Sequence, residues 1–325
     1  MSGFINYKEF SLEDTPSLKD KVAVVTGGNA GIGSEMVAQL LLHDVSKVYV
    51  IARTAEKFQT AQKSWKEQDG IENVEQRVEF LSCDLSDITE IKKVAEQLLP
   101  KLTRLDILIN NAGLPTGIET IWATNVVGTF VLTNLLLELI EETAEKYGDA
   151  RIVVTSSSFH MGCQELNLDS TMSPERVKSP PSIDSCWRYA RSKLGNILFT
   201  RELARRLDKK GATKVYANCF FPGNIPTGAM DTWKELFGSL PGGAMKGFFE
   251  VMGQSPTDAA ATAIYLAASP EVVVKEQKGK YFIPIGKEDK TSKLAEDKDL
   301  ARNVWYWCDD KTTKALGKKW DEDTQ

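Results

Sequence analysis

The feature that most constrains the fold is an alternation. Short, nearly continuous apolar runs rich in β-branched residues occur at 22–26, 48–52, 78–83, 105–110, 152–156, 215–220 and 281–285. Between most of them lie longer segments with apolar residues at helical spacing, such as Met36, Val37, Leu40 and Leu41, or Ile88, Ile91, Val94, Ala95 and Leu98. Strands that are apolar on both faces belong in a parallel sheet covered by helices on each side. The expected class is therefore α/β, a doubly wound parallel sheet of about seven strands.

No composition break or Pro/Gly/Ser linker divides the first 270 of the 325 residues. The expected organisation is an N-terminal extension over 1–20, one domain over 21–289 and a helical tail over 290–325, with Val304, Trp305 and Trp307 turned inward. Two stretches, 158–185 and 222–255, are long enough to be lids or binding loops, the second carrying Trp233, Phe237, Phe248 and Phe249. Ser255-Pro256-Thr257-Asp258 then reads as a helix start, with Ser255 as cap and Pro256 in the first turn.

Hydrophobic residues at 42%, charged residues at 26% and a formal charge of -5 describe a folded chain without a basic face for nucleic acid or anionic lipid. The longest apolar-rich stretch, 130–140, is broken by Thr133, Asn134 and Glu138 and reads as a buried helix, so no membrane span is expected. Residues 1–20 hold no apolar run of signal-peptide length, which places the expected compartment in the cytoplasm. Five scattered cysteines without a C-x-x-C pair, and two distant histidines, suit neither a disulfide framework nor a metal site, and no metal is assigned.

After the first strand comes Thr26-Gly27-Gly28-Asn29-Ala30-Gly31-Ile32-Gly33, opening into a helix. Glycines there let the backbone turn sharply and approach a pyrophosphate, and the helix start offers free N–H groups. Against the alternative of a plain strand-to-helix turn, its place after the first strand of a doubly wound, Rossmann-type sheet favours a phosphate-binding turn, with Gly27, Asn29, Gly31, Ile32 and Gly33 as candidate dinucleotide contacts. The second strand ends in Ala52-Arg53-Thr54 with no acid at its tip. Arg53, helped by Thr54, suits the 2′-phosphate of NADP(H) better than the free ribose hydroxyl of NAD.

Tyr189-Ala190-Arg191-Ser192-Lys193 puts a phenol and an ammonium four residues apart, on one helix face. A phenol with a pKa of about 10 needs a nearby cation to transfer protons near neutrality, and Lys193 is expected to lower it. Asn110-Asn111-Ala112-Gly113 follows the fourth strand, Thr124-Asn125-Val126-Val127-Gly128 lies in the next helix, and Ser156-Ser157-Ser158 follows the fifth strand. With the glycine-rich turn, this ordered set resembles the short-chain dehydrogenase/reductase family across about 21–285, most closely its retinol-dehydrogenase-like and fungal branch.

The resemblance implies that Tyr189 is the general acid or base, that Lys193 tunes it and holds the nicotinamide ribose, and that Ser157 binds the substrate oxygen. It further implies that Asn125 holds a water beside Lys193, that Asp84 contacts adenine, and that Asn111, Ala112 and Gly113 line the adenosine pocket. In Pro222-Gly223-Asn224-Ile225-Pro226-Thr227, it makes Pro222, Gly223, Ile225 and Thr227 contacts of the nicotinamide end. Ser157 is picked over Ser156 and Ser158 by the resemblance alone, and His160, without a paired nucleophile, is given no role. The implied activity is NADP(H)-dependent reduction of a ketone or aldehyde, or the reverse, on a moderately hydrophobic small molecule, with homo-oligomer formation open. The alternatives are a cyclase, isomerase or dehydratase on the same scaffold, and a non-catalytic NADP-binding regulator. The full Asn125, Ser157, Tyr189 and Lys193 set argues against the regulator and less strongly against the other. The segment between Asn111 and Asn125 is shorter, and 158–185 longer, than in many relatives, so the substrate does not follow from the resemblance.

Overall fold

The computed structural model describes residues 9–114, 120–172, 181–224 and 254–320. The alternation resolves into strands β1 (Val22–Thr26), β2 (Lys47–Ala52), β3 (Val78–Ser82), β4 (Ile107–Asn110), β5 (Ala150–Thr155), β6 (Val215–Phe220) and β7 (Tyr281–Ile283). They form a parallel sheet in the order β3-β2-β1-β4-β5-β6-β7, and the two-residue β8 (Lys287–Glu288) adds antiparallel to β7. The main helices are α1 (Gly31–Leu42), α2 (Ala55–Glu67), α3 (Ile88–Leu98), α4 (Thr120–Tyr147), α5 (Pro181–Lys210), α6 (Pro256–Ala268) and α7 (Lys298–Leu316).

Alternate residues of the central strands point to opposite faces. Leu108, Ile152, Val154 and Ala217 pack on one side with Phe130, Leu136, Leu194 and Phe199. Ile107, Ile109, Val153 and Phe220 pack on the other with Met36, Leu40, Ile264 and Tyr265. Both faces are covered, as the apolar runs require. β1 pairs with both β2 and β4, so the chain reverses direction across the sheet at that point and opens a crevice at the carboxyl ends of these strands.

The helix α4 corrects one expectation. It spans 28 residues and is long and apolar enough to cross a membrane by length and composition, with 78% of its most apolar stretch buried in the fold. The polar residues that looked like breaks are satisfied within the protein. Asn134 Nδ2 donates to the Phe130 carbonyl at 2.8 Å, and Thr133 Oγ1 accepts from Asn110 Nδ2 at 3.0 Å. Strict continuity was the wrong test, and the expectation of no membrane-span segment does not stand.

Ser255 caps α6 by accepting the Asp258 N–H at 3.0 Å, with Pro256 in the first turn. The tail forms α7, capped by Asp297 and stopped by Gly317 in a left-handed conformation at φ +65°. Val304 and Trp305 are buried and Trp307 is half-buried. Trp305 stacks on Phe199 of α5 at 5.9 Å between ring centroids and meets Phe130 edge-on at 4.9 Å. These contacts make the tail part of the core that supports α4 and α5. Trp305→Ala should therefore lower unfolding stability by about 3–5 kcal/mol in urea titration; a loss under about 1 kcal/mol would mean that the tail merely rests on the surface.

Candidate active site

The crevice is a cleft of about 520 Å³. Its lining includes Gly27, Asn29, Gly31, Ile32, Gly33, Arg53, Thr54, Asp84, Asn111, Ala112, Gly113, Ser157, Tyr189, Lys193, Pro222 and Gly223. Sequence-selected residues from six strand ends thus meet along one groove. Ile225 and Thr227, and the aromatic residues at 233–249, lie outside the described residues.

One end is built by the glycine-rich turn. Gly27 has a φ of +65°, and a Cβ at Gly33 would run into the Gly27 carbonyl oxygen and the Asn111 amide. Gly31 has φ +54° with nothing within 4 Å of a Cβ, so its backbone faces open space. The N-cap of α1 is Ala30, which makes no side-chain cap, and no acid stands in the first turn. An uncapped helix start facing a cleft suits an anionic phosphate. Asn29 Nδ2 donates to the Thr54 carbonyl at 2.9 Å, tying the turn to the end of β2. There Arg53 is half exposed and lies 3.8 Å from Asp84. Lys57, one helical turn further on, also lines the cleft. Lys57 stands in the first turn of α2, just beyond the N-cap Thr54, and its closeness in sequence to Arg53 was the available signal for it.

The middle is held by two asparagines. Thr26 Oγ1 accepts the N–H groups of both Asn111 and Ala112 at 3.0 Å, and Asn111 Nδ2 donates to the Thr26 carbonyl at 3.2 Å. Asn125 does not line the cleft but sits behind it, fully buried in a π-helical turn over Ala123–Gly128. Its Oδ1 accepts the Leu114 N–H at 2.8 Å, while its Nδ2 donates to the Leu114 carbonyl at 3.1 Å and to Ser192 Oγ at 2.9 Å. The structure places Asn125 as a clamp between the loop after β4 and α5. A widened turn at such a point is a common device near functional sites.

The other end carries titratable groups. Lys193 is buried, and its Nζ donates to the Thr155 carbonyl at the end of β5 at 2.9 Å. Burial lowers its pKa to about 8. Tyr189 is partly buried beside it, with Lys193 Nζ 5.6 Å from the ring centroid. The protein around the phenol pushes its pKa up to about 12, against a smaller lowering by its hydrogen bond to Ser157. The expected lowering by Lys193 does not appear: burial raises the phenol's pKa, the Ser157 hydrogen bond opposes it, and the ammonium is turned to Thr155. At neutral pH the site holds a protonated phenol and a charged lysine.

Geometry also separates the three serines. Ser156 Oγ donates to the Lys193 carbonyl at 2.8 Å, Ser158 is exposed, and Ser157 is the one bonded to Tyr189. Phe159 packs edge-on against the Tyr189 ring at 5.7 Å.

A phenol, a hydroxyl and an ammonium gathered at one end of a phosphate-suited cleft define an oxidoreductase class, and comparison with known proteins agrees. The short chain dehydrogenase family profile matches residues 21–165. A short-chain dehydrogenase/reductase of Armillaria gallica is 35% identical over 312 residues, covering 93% of each chain. Polyprenol dehydrogenase of Homo sapiens is 33% identical over 301 residues, covering 89% of this chain and 84% of that protein. The Pseudomonas aeruginosa RhlG/NADP active-site complex superposes with a TM-score of 0.63 at 23% identity, covering 83% of this chain and 96% of that one. The chain belongs to the short-chain dehydrogenase/reductase family. The expectation of no membrane span is corrected by α4, which is long and apolar enough to cross a membrane by length and composition.

The Lys193 environment has a measurable signature. The unfolded chain holds this proton up to its ordinary pKa of 10.5 and the folded chain only to about 8, so folding releases it between those values. In that window Lys193 makes stability rise with pH by up to about 1.4 kcal/mol per pH unit. The unfolding free energy of the parent relative to Lys193→Met should therefore increase between those pH values; a flat difference would mean that Lys193 is solvated.

Proposed function

We propose that this protein is an NADP(H)-dependent carbonyl reductase, or alcohol dehydrogenase, acting on an apolar substrate. The observation that carries the reading is the Ser157–Tyr189 hydrogen bond beside buried Lys193, at one end of a cleft whose other end holds the open glycine-rich turn. A nicotinamide dinucleotide bound along the cleft supplies the hydride.

The residues then have separable tasks. The α1 start and the Gly27–Gly33 turn hold the pyrophosphate. Arg53 and Lys57 receive the 2′-phosphate, with Asp84 steering the guanidinium. Ser157 and Tyr189 donate hydrogen bonds to the carbonyl oxygen, where negative charge grows as reduction proceeds. Tyr189 gives up its proton to that oxygen, and Lys193 stabilises the phenolate left behind.

An apolar substrate is supported by Phe159 against Tyr189, and by Met161, exposed on the same short helix. It is also consistent with a relative named for polyprenol. The test is loss of NADPH absorbance with a panel of decanal, geranial, retinal and polar controls such as glyceraldehyde. Consumption with the apolar members is expected; tight NADPH binding with no consumption across the panel would contradict the redox reading.

Cofactor choice is tested separately. Arg53→Asp removes one charge-assisted contact worth about 1.5–3 kcal/mol and adds repulsion. The kcat/KM for NADPH should fall about 10- to 100-fold while that for NADH holds or rises. Equal use of the two cofactors by the parent would contradict the Arg53 assignment.

A further inference from the structure

Ser157 stands at the start of a short 3-10 helix, Ser158–Gly162, and its hydroxyl accepts the Phe159 N–H at 3.3 Å. Its carbonyl is held twice by one residue. The His160 N–H reaches it at 3.2 Å and the His160 imidazole Nδ1 at 2.7 Å. The other ring nitrogen, Nε2, lies 3.4 Å from the backbone nitrogen of Ser292, the cap of the helical turn Lys293–Glu296. The imidazole is fully buried, edge-on to Tyr281 at 4.9 Å.

These two contacts fix the proton. A carbonyl only accepts, so Nδ1 must carry hydrogen; a backbone N–H only donates, so Nε2 must be bare. Only the neutral Nδ1–H tautomer satisfies both. The groups facing the ring are Arg201 from α5, Tyr281 from β7, Ser157 from its own segment and Ser292 from the C-terminal segment. Burial first, then Arg201, lowers the His160 pKa below 6.5, against a raising effect of the Ser157 carbonyl. Acid would put a second hydrogen on the ring, facing the Ser292 N–H.

We propose that His160 is a positioning residue that locks the Ser157 backbone to the C-terminal segment at Ser292, so that the serine hydroxyl is presented to Tyr189. The inference rests on the reading that Ser157 and Tyr189 handle the substrate oxygen. It gives the residues after β8 a task in the site, although they lie more than 130 positions from Ser157 in the sequence. A reacting-group displacement of about 1 Å can cost about 100-fold in rate, so a fixed carbonyl on a turn residue matters.

The test uses the full chain with 15N-labelled histidine in a His43→Gln background, which leaves one imidazole. His160 should be the neutral Nδ1–H tautomer at pH 7; an Nε2–H tautomer overturns the bridge whatever the activity. With NADPH and decanal, His160→Ala should lose about 10- to 100-fold in kcat with NADPH affinity unchanged. His160→Asn, whose amide can still donate to the Ser157 carbonyl, should recover most of that loss and lack the parent's fall in kcat at acid pH. Parental kcat in His160→Ala, or no recovery by Asn, overturns the proposal. A parent inactive on the whole carbonyl panel would sink the redox reading instead. The proposal is then decided by the tautomer and by crystal structures, in which Ser157 stays on Tyr189 in the parent and leaves it in His160→Ala.

Discussion

The buried ammonium of Lys193, with its hydrogen bond to the Thr155 carbonyl, is the interaction on which the site depends. It fastens α5 to the end of β5, and Asn196 Nδ2 donates to the same carbonyl at 3.0 Å. From the other direction Ser156 Oγ donates to the Lys193 carbonyl, so strand end and helix are joined by three hydrogen bonds. That stitching brings Tyr189 to Ser157. Taking a charge out of water costs stability, and the lowered pKa of Lys193 is the sign of that cost. Such costs are kept where chemistry needs them.

The rest of the cleft follows from the sheet. A doubly wound order places the ends of β1, β4 and β5 around one crevice. Each end is then locked to a neighbour: Asn111 to Thr26, Asn125 to Leu114 and Ser192, Asn29 to Thr54. The glycines serve approach as well as turning, since Gly33 sits where only backbone fits against Gly27. Phosphate end and proton-transfer end are thus rigidly spaced before any ligand arrives.

Much of this was legible in the sequence because the signals are local. Period-free apolar runs marked the seven parallel strands within one or two residues, and Tyr189 with Lys193 stood out by helical spacing taken together with the ordered motifs around Asn111, Asn125 and Ser157. What escaped depends on contacts between distant segments. β8 is two polar residues that pair only because β7 leaves an edge beside them. The reach of α4 was hidden by Thr133 and Asn134, whose partners are internal. The upward shift of Tyr189 could not be read from a neighbouring lysine, because burial decides it. The partner of His160 lies at Ser292, beyond any motif.

The account stands most directly on the Tyr189 proton. Tyr189→Phe removes one oxygen atom and leaves the packing, so the variant should fold and bind NADPH as the parent does. Its rate of NADPH consumption with the best aldehyde of the panel should fall at least about 100-fold. A folded, NADPH-binding Tyr189→Phe protein that reduces that aldehyde at the parental rate would contradict the account.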